Sequence, residues 1–237
     1  MVITGETLVR DIVVEVPNAI PVFEQFGIDY CCGGKHTVAE ACSRRDQSLD
    51  HVLEELKCWE HDTLAPEVRW QTAPLSELIR HIVQKHHAFT RDQLTLIQQL
   101  AEKVERRHGT THPEVHKVNE ELATLTAELK HHFFCEENVL FPYIEMLDQK
   151  ETQLAQAIFD TIQKPVTRMM MDHDQTGDEF RALREITNGY QPPEDACTTY
   201  RALYRAMEDL ERDVHRHIHL ENNILFPRAI SLESERS

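Results

Sequence analysis

Apolar residues recur every three or four positions along two long stretches of the chain, the spacing that places them on one face of an α-helix. The first stretch has its apolar positions at Val115, Val118, Leu122, Leu125 and Leu129, and the same spacing continues to His132, Glu136 and Val139. The second has them at Leu203, Met207, Leu210 and Val214, and the spacing continues to His217, Glu221 and Ile224. Each predicted helix therefore carries an imidazole and a carboxylate, one turn apart, on the face that packs into the core.

The imidazole and the carboxylate belong to a segment that occurs twice in the chain. The sequences HHFFCEENVLFP (131–142) and HIHLENNILFP (217–227) share a His, a Glu, an Asn and the ending Leu-Phe-Pro at one common offset. A single His/Glu pair at i, i+4 would ordinarily lie on a solvated face. A buried carboxylate without a partner, however, costs free energy or takes up a proton. Two copies in phase with two apolar faces therefore predict a metal ion between the helices.

Two further amphipathic stretches complete a set of four long helices. The first predicted helix starts at Pro74 or Leu75. The second runs from near Pro113 to about Leu147, the third from Pro165 to about Asn188, and the fourth from Pro193 to about Ile230. Proline suits the first turn of a helix, and four long amphipathic helices are typical of an antiparallel bundle. The sequence therefore predicts an all-α fold, an antiparallel four-helix bundle with a small N-terminal helical domain.

The first and third long helices each offer a histidine on the inward face. On the third, His173 is one heptad from both Val166 and Phe180. On the first, periodicity does not choose between two neighbours, since His86 is in phase with Ile79 and His87 with Leu94. His87 precedes His132 by 45 residues and His173 precedes His217 by 44. Each half of the bundle therefore supplies one inward His on one helix and a His-x-x-x-Glu motif on the next.

The first 65 residues carry shorter helical patterns and form a separate module. Helices are predicted roughly over residues 7–14, 18–26 and 38–57, and Thr37 with Glu40 makes a capping box in front of the last one. Residues 66–74 begin and end with proline and have no periodicity, which indicates a linker. We therefore expect an N-terminal module with vicinal cysteines (1–65), a linker (66–74) and the bundle (75–237).

Glycines concentrate in the segment Gly27-Ile-Asp-Tyr-Cys-Cys-Gly-Gly-Lys35 of this module. They permit unusual backbone angles, and the nearby start of a helix favours a thiolate. Cys31 and Cys32 are adjacent, and a disulfide between neighbouring residues would be strained and easily reduced. We interpret them as candidate catalytic residues on an exposed loop, suited to redox work, metal capture or transfer to a partner. The alternative is two small buried residues in a turn.

The composition narrows the classes of partner. The 237-residue chain carries a formal net charge of −16, which argues against a nucleic acid or an anionic membrane surface. The first residues contain no basic stretch followed by an apolar run, and no segment is a candidate for crossing a membrane. We therefore expect a cytoplasmic protein, in which the six cysteines are thiols by default.

The His-x-x-x-Glu motifs on paired helices resemble the hemerythrin-like fold, whereas ferritin-like bundles place Glu and His at i, i+3. With the Asp-Tyr-Cys-Cys-Gly-Gly-Lys segment added, nearly the whole chain resembles the iron-sulfur cluster repair di-iron proteins, the repair-of-iron-centres family. The resemblance implies a non-haem centre of two iron ions, oxo-bridged when oxidised, in which Glu136 and Glu221 bridge the irons. Matched motif by motif, it implies the metal ligands His87, His108, His132, Glu136, His173, His217 and Glu221.

His108 is the implied ligand that conflicts with helix geometry. It ends the stretch Lys-Val-Glu-Arg-x-His. The resemblance favours His87 over His86 because of the distance along the chain from His87 to this stretch. One straight helix would place His108 about 31 Å from His87. The chain would therefore have to break and double back near residues 91–97, and His112 is the substitute ligand.

The remaining histidines lie outside the apolar faces and are expected at the surface, although two of them, His131 and His219, could orient a metal ligand through a hydrogen bond. The full set is His36, His51, His61, His81, His116, His131, His215 and His219.

The resemblance also implies a function. The family is associated with protecting and restoring iron-sulfur clusters after nitric oxide or oxidative stress, with damaged iron-sulfur proteins as clients. We expect the reduced centre to bind nitric oxide or O2, to reduce nitric oxide as an oxidoreductase or to donate an iron, while Cys31 and Cys32 relay electrons or engage the client. Two alternatives stay open, a hemerythrin-like O2 or iron carrier or sensor without turnover and a thiol oxidoreductase with a structural metal. The sequence leaves open whether the chain forms a homodimer.

Overall fold

A computed structural model describes residues 1–59, 69–149 and 161–236, and over these ranges the chain folds into helices joined by turns. The pairing of extended backbone seen in these ranges is an isolated antiparallel bridge between Leu8 and Thr37. None of the described helices combines the length and the apolar character that crossing a membrane requires. The predicted all-α fold is confirmed. The predicted domain boundary at residue 65 and the first residues of the linker lie outside the described residues.

Short helices form the N-terminal module within residues 1–59. They are α1 (Val9–Glu15), α2 (Ile20–Gln25, after a 3₁₀ turn over Pro17–Ala19), α3 (Val38–Arg44) and α4 (Leu49–Trp59). The Thr37 hydroxyl accepts a hydrogen bond from the Glu40 amide at 3.2 Å and the Glu40 carboxylate accepts one from the Thr37 amide at 3.0 Å, so the predicted capping box is confirmed. The predicted single helix over residues 38–57 was wrong, because Asp46 adopts a left-handed backbone conformation (φ 53°) after the end of α3.

In the described ranges 69–149 and 161–236 the chain forms four helical rods. The first rod joins α5 (Leu75–His81), a π-helical turn (Ile82–His87) and α6 (Ala88–His108), and the second joins α7 (Glu114–Cys135), a π turn (Glu136–Leu140) and α8 (Phe141–Asp148). The third rod is α9 (Gln163–Ile186), and the fourth joins α10 (Thr198–Leu220), a π turn (Glu221–Leu225) and α11 (Phe226–Arg236). Consecutive rods pack together and the fourth packs on the first, so the predicted four-helix bundle is confirmed.

Each π turn fits about one extra residue into a helical turn and so rotates the helix that follows it. In the second rod the inward face continues from Glu136 to Leu140, which is buried, and Val139 is 40% exposed. The prediction that Val139 faces the core was therefore wrong. In the fourth rod both Ile224 and Leu225 are buried, because helix α1 of the N-terminal module packs beside this π turn.

The first rod runs without a break as far as His108. The residues that continue its apolar spacing are buried, namely Leu94, Ile97, Ala101 and Val104. Because this spacing suits a continuous amphipathic helix, the predicted break over residues 91–97 was wrong. The helical rise then places His108 about 31 Å along the rod from His87.

The buried apolar residues of the bundle form two clusters with a polar layer between them. In the second rod Leu129 belongs to one cluster and Leu140 to the other, while His132 and Glu136 lie between them in the chain. The second copy of the repeat stands between the same two clusters in the fourth rod. The polar layer is therefore enclosed by apolar packing at both ends and removed from bulk water.

The N-terminal module docks on the fourth rod, over the second copy of the repeat. Glu24 accepts two hydrogen bonds from Arg216, at 2.8 and 2.9 Å, and the Asn223 side chain donates to the Tyr30 carbonyl oxygen at 3.0 Å. Gly34 is needed for the close approach of the glycine-rich loop to α1, because a Cβ at this position would lie 2.8 Å from the Cβ of Arg10. The loop is thereby held between α1 and the bundle.

Candidate metal centre

The structure brings six of the seven predicted metal ligands together in the polar layer of the bundle. They are His87 from the first rod, His132 and Glu136 from the second, His173 from the third, and His217 and Glu221 from the fourth. None of the six is more than 6% exposed, so their predicted inward orientation is confirmed. The six side chains form two groups of four donors that share both glutamates, and each group could hold a metal ion.

The first donor group contains His87, His217 and one oxygen of each glutamate. The Nε2 atom of His87 lies 3.4 Å from Oε2 of Glu136, and the Nε2 atom of His217 lies 2.9 Å from Oε1 of Glu221. The two imidazole Nε2 atoms are 3.2 Å apart. Two nitrogens and two carboxylate oxygens therefore converge on one small volume.

The second donor group contains His132, His173 and the other oxygen of each glutamate. The Nε2 atom of His132 lies 3.1 Å from Oε1 of Glu136, and the Nε2 atom of His173 lies 3.1 Å from Oε2 of Glu221. These two Nε2 atoms are 3.0 Å apart. Because each carboxylate places one oxygen in each group, Glu136 and Glu221 have the arrangement of bridging ligands between two cation positions.

The carboxylate oxygens of Glu136 and Glu221 accept no hydrogen bond from any residue in the described part of the chain. Imidazole nitrogens lie close to them, yet these contacts lack the geometry of hydrogen bonds. A fully buried carboxylate without a donor or a counter-charge is costly, and a cation bound by the same oxygens and nitrogens would remove that cost. The donor set therefore fits metal ions.

The buried carboxylates and imidazoles of the donor groups shift one another's pKa values. Burial would raise the pKa of Glu136, but the imidazoles of His132, His87 and His217 hold it well below its usual value. Burial would lower the pKa of His132, but Glu136 and Asp172 raise it to about 10. Glu136 and Asp172 therefore favour the charged form of His132, just as the imidazoles favour the ionised form of Glu136.

Two residues that sequence reasoning missed hold the outer nitrogens of the donor histidines. Glu137 accepts a hydrogen bond from Nδ1 of His87 at 2.6 Å and one from Arg91 at 2.8 Å. Asn222 accepts one from Nδ1 of His173 at 2.9 Å. Such partners fix the tautomer and the orientation of a metal-binding imidazole. The signal was available in the repeat, because each residue directly follows the shared glutamate of its copy.

The structure places His87, and not His86, in the donor groups. His86 is also buried, but its Nδ1 pairs with Asp213 at 3.0 Å and its ring stacks on His217 with centroids 6.1 Å apart. The expectation that His219 lies at the surface was wrong. Its side chain is 3% exposed, and its Nδ1 accepts a hydrogen bond from Asn223 at 2.9 Å.

His108 lies at the opposite end of the bundle from the other six predicted ligands. Its ring packs on Tyr200 with centroids 5.4 Å apart, at the start of the fourth rod. The substitute, His112, lies beside it and pairs with Glu114 and Asp195 at 3.0 and 3.1 Å. Neither histidine belongs to a donor group in the described residues, because the unbroken helix keeps them far from His87.

The predicted exposed loop at Cys31 and Cys32 is only half exposed. Cys31 is buried, Cys32 is partly buried, and the Cys32 thiol donates to the backbone oxygen of His173 at 3.6 Å. The surroundings of Cys31 oppose the predicted thiolate while no cation is bound. The hydrogen bond to Cys32, burial and the nearby Asp29 carboxylate raise the pKa of the Cys31 thiol well above its usual value.

Two family models match separate parts of the chain. The hemerythrin HHE cation binding domain matches residues 77–229, which contain all four rods' donor residues. A domain of unknown function, DUF542, matches residues 5–59, which contain the cysteine pair. A cation binding domain therefore covers the region in which the structure assembles the two donor groups.

Comparison with curated proteins gives relatives of nearly the same length. The chain is 37% identical to the iron-sulfur cluster repair protein YtfE of Escherichia coli O81 (strain ED1a), over 94% of this chain and 96% of the relative. It is 35% identical to YtfE of Musicola paradisiaca (strain Ech703), over 97% and 98%, and 34% identical to YtfE of Pectobacterium atrosepticum, over 93% and 95%. The chain therefore belongs to the family of the iron-sulfur cluster repair proteins YtfE.

Proposed function

We propose that this protein repairs iron-sulfur clusters damaged by nitrosative or oxidative stress. The observation that carries the proposal is the pair of buried donor groups, found in a chain that aligns almost end to end with proteins named for this repair. Under this proposal damaged iron-sulfur proteins are the clients, and nitric oxide or O2 is the small ligand of the site.

Two iron ions are the cations assigned to the paired donor groups. Imidazole and carboxylate donors inside a helical bundle favour iron or manganese over zinc. Each group offers four protein donors, fewer than the six of an octahedral ion, so positions for a diatomic ligand would remain. When bound, the ions supply the electrons and the ligand positions that nitric oxide reduction needs.

Packing and hydrogen bonds from surrounding side chains hold the donor rings in place. The ring of His87 stacks on Phe133 with centroids 4.0 Å apart and is held by Glu137. The ring of His173 lies nearly parallel to that of Phe226 and is held by Asn222. Because packing and hydrogen bonds fix these rings, the site can release an ion and rebind one without refolding, as iron donation requires.

Cys31 and Cys32 are assigned to electron relay or to contact with the client. Their loop touches the site from outside, through the contact of the Cys32 thiol with the His173 backbone and through the side chain of Asn222. A thiol pair in this position can pass electrons toward the site or meet a client at the cavity beside the loop.

The test uses the full-length protein, loaded with iron and kept anaerobic. It is added to an iron-sulfur dehydratase that nitric oxide has inactivated, and dehydratase activity, released N2O and the iron left on this chain are followed together. We expect activity to recover, accompanied by N2O or by loss of iron from this chain. The Glu136→Ala variant should restore nothing, whereas Glu120→Ala, a change at an exposed position of the same rod, should act like the wild type.

Recovery that is equal for the wild type and Glu136→Ala would overturn the proposal, since repair would then not depend on the donor groups. Reversible binding of O2 with two irons retained and no recovery of the client would also overturn it, and would indicate a carrier or sensor.

A further inference from the structure

A third cluster of metal-binding side chains lies in the glycine-rich loop, outside the two donor groups. The Sγ atoms of Cys31 and Cys32 are 3.8 Å apart, and Oδ1 of Asp29 lies 3.3 Å from Sγ of Cys31. All three ligand atoms lie within 4.8 Å of one another. Both cysteines are free thiols. A soft or borderline cation prefers thiolate ligands.

Two of the three separations in this cluster match the edges of a tetrahedral ion, and the third is below 4.8 Å. Metal–sulfur bonds of about 2.3 Å at the tetrahedral angle place two sulfurs about 3.8 Å apart, and replacing one sulfur by an oxygen at about 2.0 Å shortens the edge to about 3.5 Å. The separations in the loop are 3.8 and 3.3 Å. The thiols and the carboxylate are therefore already placed for one cation.

The backbone holds the carboxylate of this cluster rigidly. Oδ1 of Asp29 accepts hydrogen bonds from the amides of Cys31 and Cys32 at 3.0 and 2.9 Å. Burial would raise the pKa of Asp29, but hydrogen bonds from the Gly33 and Cys32 amides lower it, so the carboxylate is ionised. A Cβ at position 33 would lie 3.1 Å from this carboxylate, so the loop packs tightly around it.

We propose that Asp29, Cys31 and Cys32 form a binding site for one thiophilic divalent cation. Resting on the proposed function, this cation is the ferrous iron that passes between the paired donor groups and a client. The three residues, together with His215, line a cavity of about 740 Å³, which gives room for a fourth ligand of the ion. A water molecule or a client thiolate can fill that position.

Binding at this site is an exchange of protons for a metal ion. Two S–H bonds break, two metal–sulfur bonds form, and two protons leave for each divalent ion, while no electron is transferred. The net charge of the buried cluster does not change, because one divalent ion replaces two protons. Burial therefore opposes the exchange far less than it would oppose the arrival of an uncompensated charge.

Two contacts join the glycine-rich loop to the paired donor groups, one with the donor histidine His173 and one with its hydrogen-bond partner Asn222. The thiol of Cys32 lies 3.6 Å from the backbone oxygen of His173. Asn222 accepts from Nδ1 of His173 at 2.9 Å and donates to the carbonyl oxygen of Cys31 at 3.4 Å. A change at the loop can thus be transmitted to one ligand of the paired site, as the transfer of an ion between neighbouring sites requires.

The test is a titration of the full-length, iron-loaded protein with Co2+ under reducing, anaerobic conditions. Thiolate–cobalt charge-transfer absorption in the near ultraviolet reports the loop site, since the paired site has no sulfur. We expect one saturable equivalent per chain with two protons released. The Cys31→Ser/Cys32→Ser double variant should lose the absorption, and the matched control Cys135→Ser, which removes a thiol beside His131, should keep it.

Asp29→Asn keeps a hydrogen-bond acceptor for the loop amides and tests the carboxylate without unfolding the loop. We expect cobalt binding at least about tenfold weaker in this variant, with the absorption retained at saturation. Absence of the absorption in wild-type protein whose thiols titrate as reduced would overturn the site. Its survival in the double serine variant would overturn it as well.

The transfer role is tested separately by the rate at which iron moves from the loaded protein to an apo iron-sulfur protein. The double serine variant, with a full complement of iron, should transfer at least about tenfold more slowly. Equal rates would overturn the transfer role. A wild-type protein that binds cobalt at the loop but repairs no client would instead contradict the proposed function and leave the loop site standing.

Discussion

The two copies of the repeat supply the same donors to the metal centre but differ in the residue that follows the shared glutamate. In the first copy this residue is Glu137, which binds His87 and is itself bound by Arg91. In the second it is Asn222, which binds His173 and reaches the cysteine loop. A carboxylate makes an imidazole more basic than an amide does. The donor groups are therefore alike in composition and unlike in their surroundings.

The surroundings of the two repeat histidines also shift their pKa values in opposite directions. The pKa of His132 is raised to about 10, because Glu136 and Asp172 outweigh the effect of burial. Burial lowers the pKa of His217, and Glu221 opposes the effect only in part. One copy thus faces acidic groups near the surface, while the other is covered by the N-terminal module. The duplication explains the symmetry of the donors, and the different surroundings give the centre a side that faces the thiols.

The largest expected effect would show what the two copies share. Glu136→Ala and Glu221→Ala should each lose both metal ions, since each carboxylate places one oxygen in both donor groups. We expect affinity at both positions to fall by at least about 100-fold, and metal analysis after dialysis should find almost no iron in either variant. A variant that retained one full equivalent would show that its carboxylate serves a single ion. Glu120→Ala is the control at an exposed position.

The likeness of the two copies could be read from the sequence, because burial at helical spacing is a local pattern. The apolar steps leading to Glu136 and Glu221 predicted both the bundle and the inward glutamates, and the structure has them there. The repeat also placed Glu137 and Asn222 at equivalent positions. Their different partners could not be predicted, because these depend on which rods and which loop lie opposite, a tertiary property.

The uncertainty between His86 and His87 was itself a structural signal. His86 keeps the phase of Ile79 upstream, His87 keeps the phase of Leu94 downstream, and the slip of one residue between them coincides with the π turn over Ile82–His87. Such turns often occur at functional sites. His108 carried no comparable signal in the apolar spacing. Its assignment followed the resemblance to a family, and the unbroken helix α6 keeps it away from the centre.

Removing the outer partner of one donor histidine should have a smaller effect on metal affinity, and this effect should differ between the two copies. Glu137→Ala should weaken binding at the position of His87 and His217, and Asn222→Ala should weaken binding at that of His132 and His173. Loss of such a partner typically costs 10- to 100-fold in metal affinity, so we expect about that loss at one position in each variant. Each single variant should then retain one ion after dialysis, and the double variant none.

The matched control for these variants is Asn138→Ala. Asn138 is the first copy's counterpart of Asn223, is exposed, and donates to the backbone oxygen of Phe134 in its own rod. It should retain both ions. If Glu137→Ala and Asn222→Ala also kept both, the outer partners would not distinguish the two positions.

The charge difference between the copies predicts a pH dependence in the metal-free protein. Because the folded pKa of His132 is raised from 6.5 to about 10, its stabilisation is complete below pH 6.5 and is lost as the pH rises through 10. We expect the free energy of unfolding to fall by about 2 kcal/mol between pH 7 and pH 9, and His132→Gln to remove this fall. Imidazole NMR at pH 8 should find His132 charged and His217 neutral. A charged His217 would contradict the comparison.

The smallest expected effect concerns the cover over the second copy. Glu24 joins the N-terminal module to the fourth rod through Arg216, which is 42% exposed, so solvent screens much of the attraction. Glu24→Gln should therefore lower the free energy of unfolding by about 1 kcal/mol and the melting temperature by about 2–4 °C. The control is Asp178→Asn, which breaks the ion pair between Asp178 and Arg181 within the third rod. Both side chains of this pair are more than half exposed, so the free energy of unfolding should change by less than about 0.5 kcal/mol.

Hydrogen exchange tests whether the N-terminal module covers only the second copy. Glu24→Gln should speed exchange at the backbone amides of Asn222 and Asn223 and leave exchange at Glu137 and Asn138 unchanged, because loosened docking exposes one π turn and not the other.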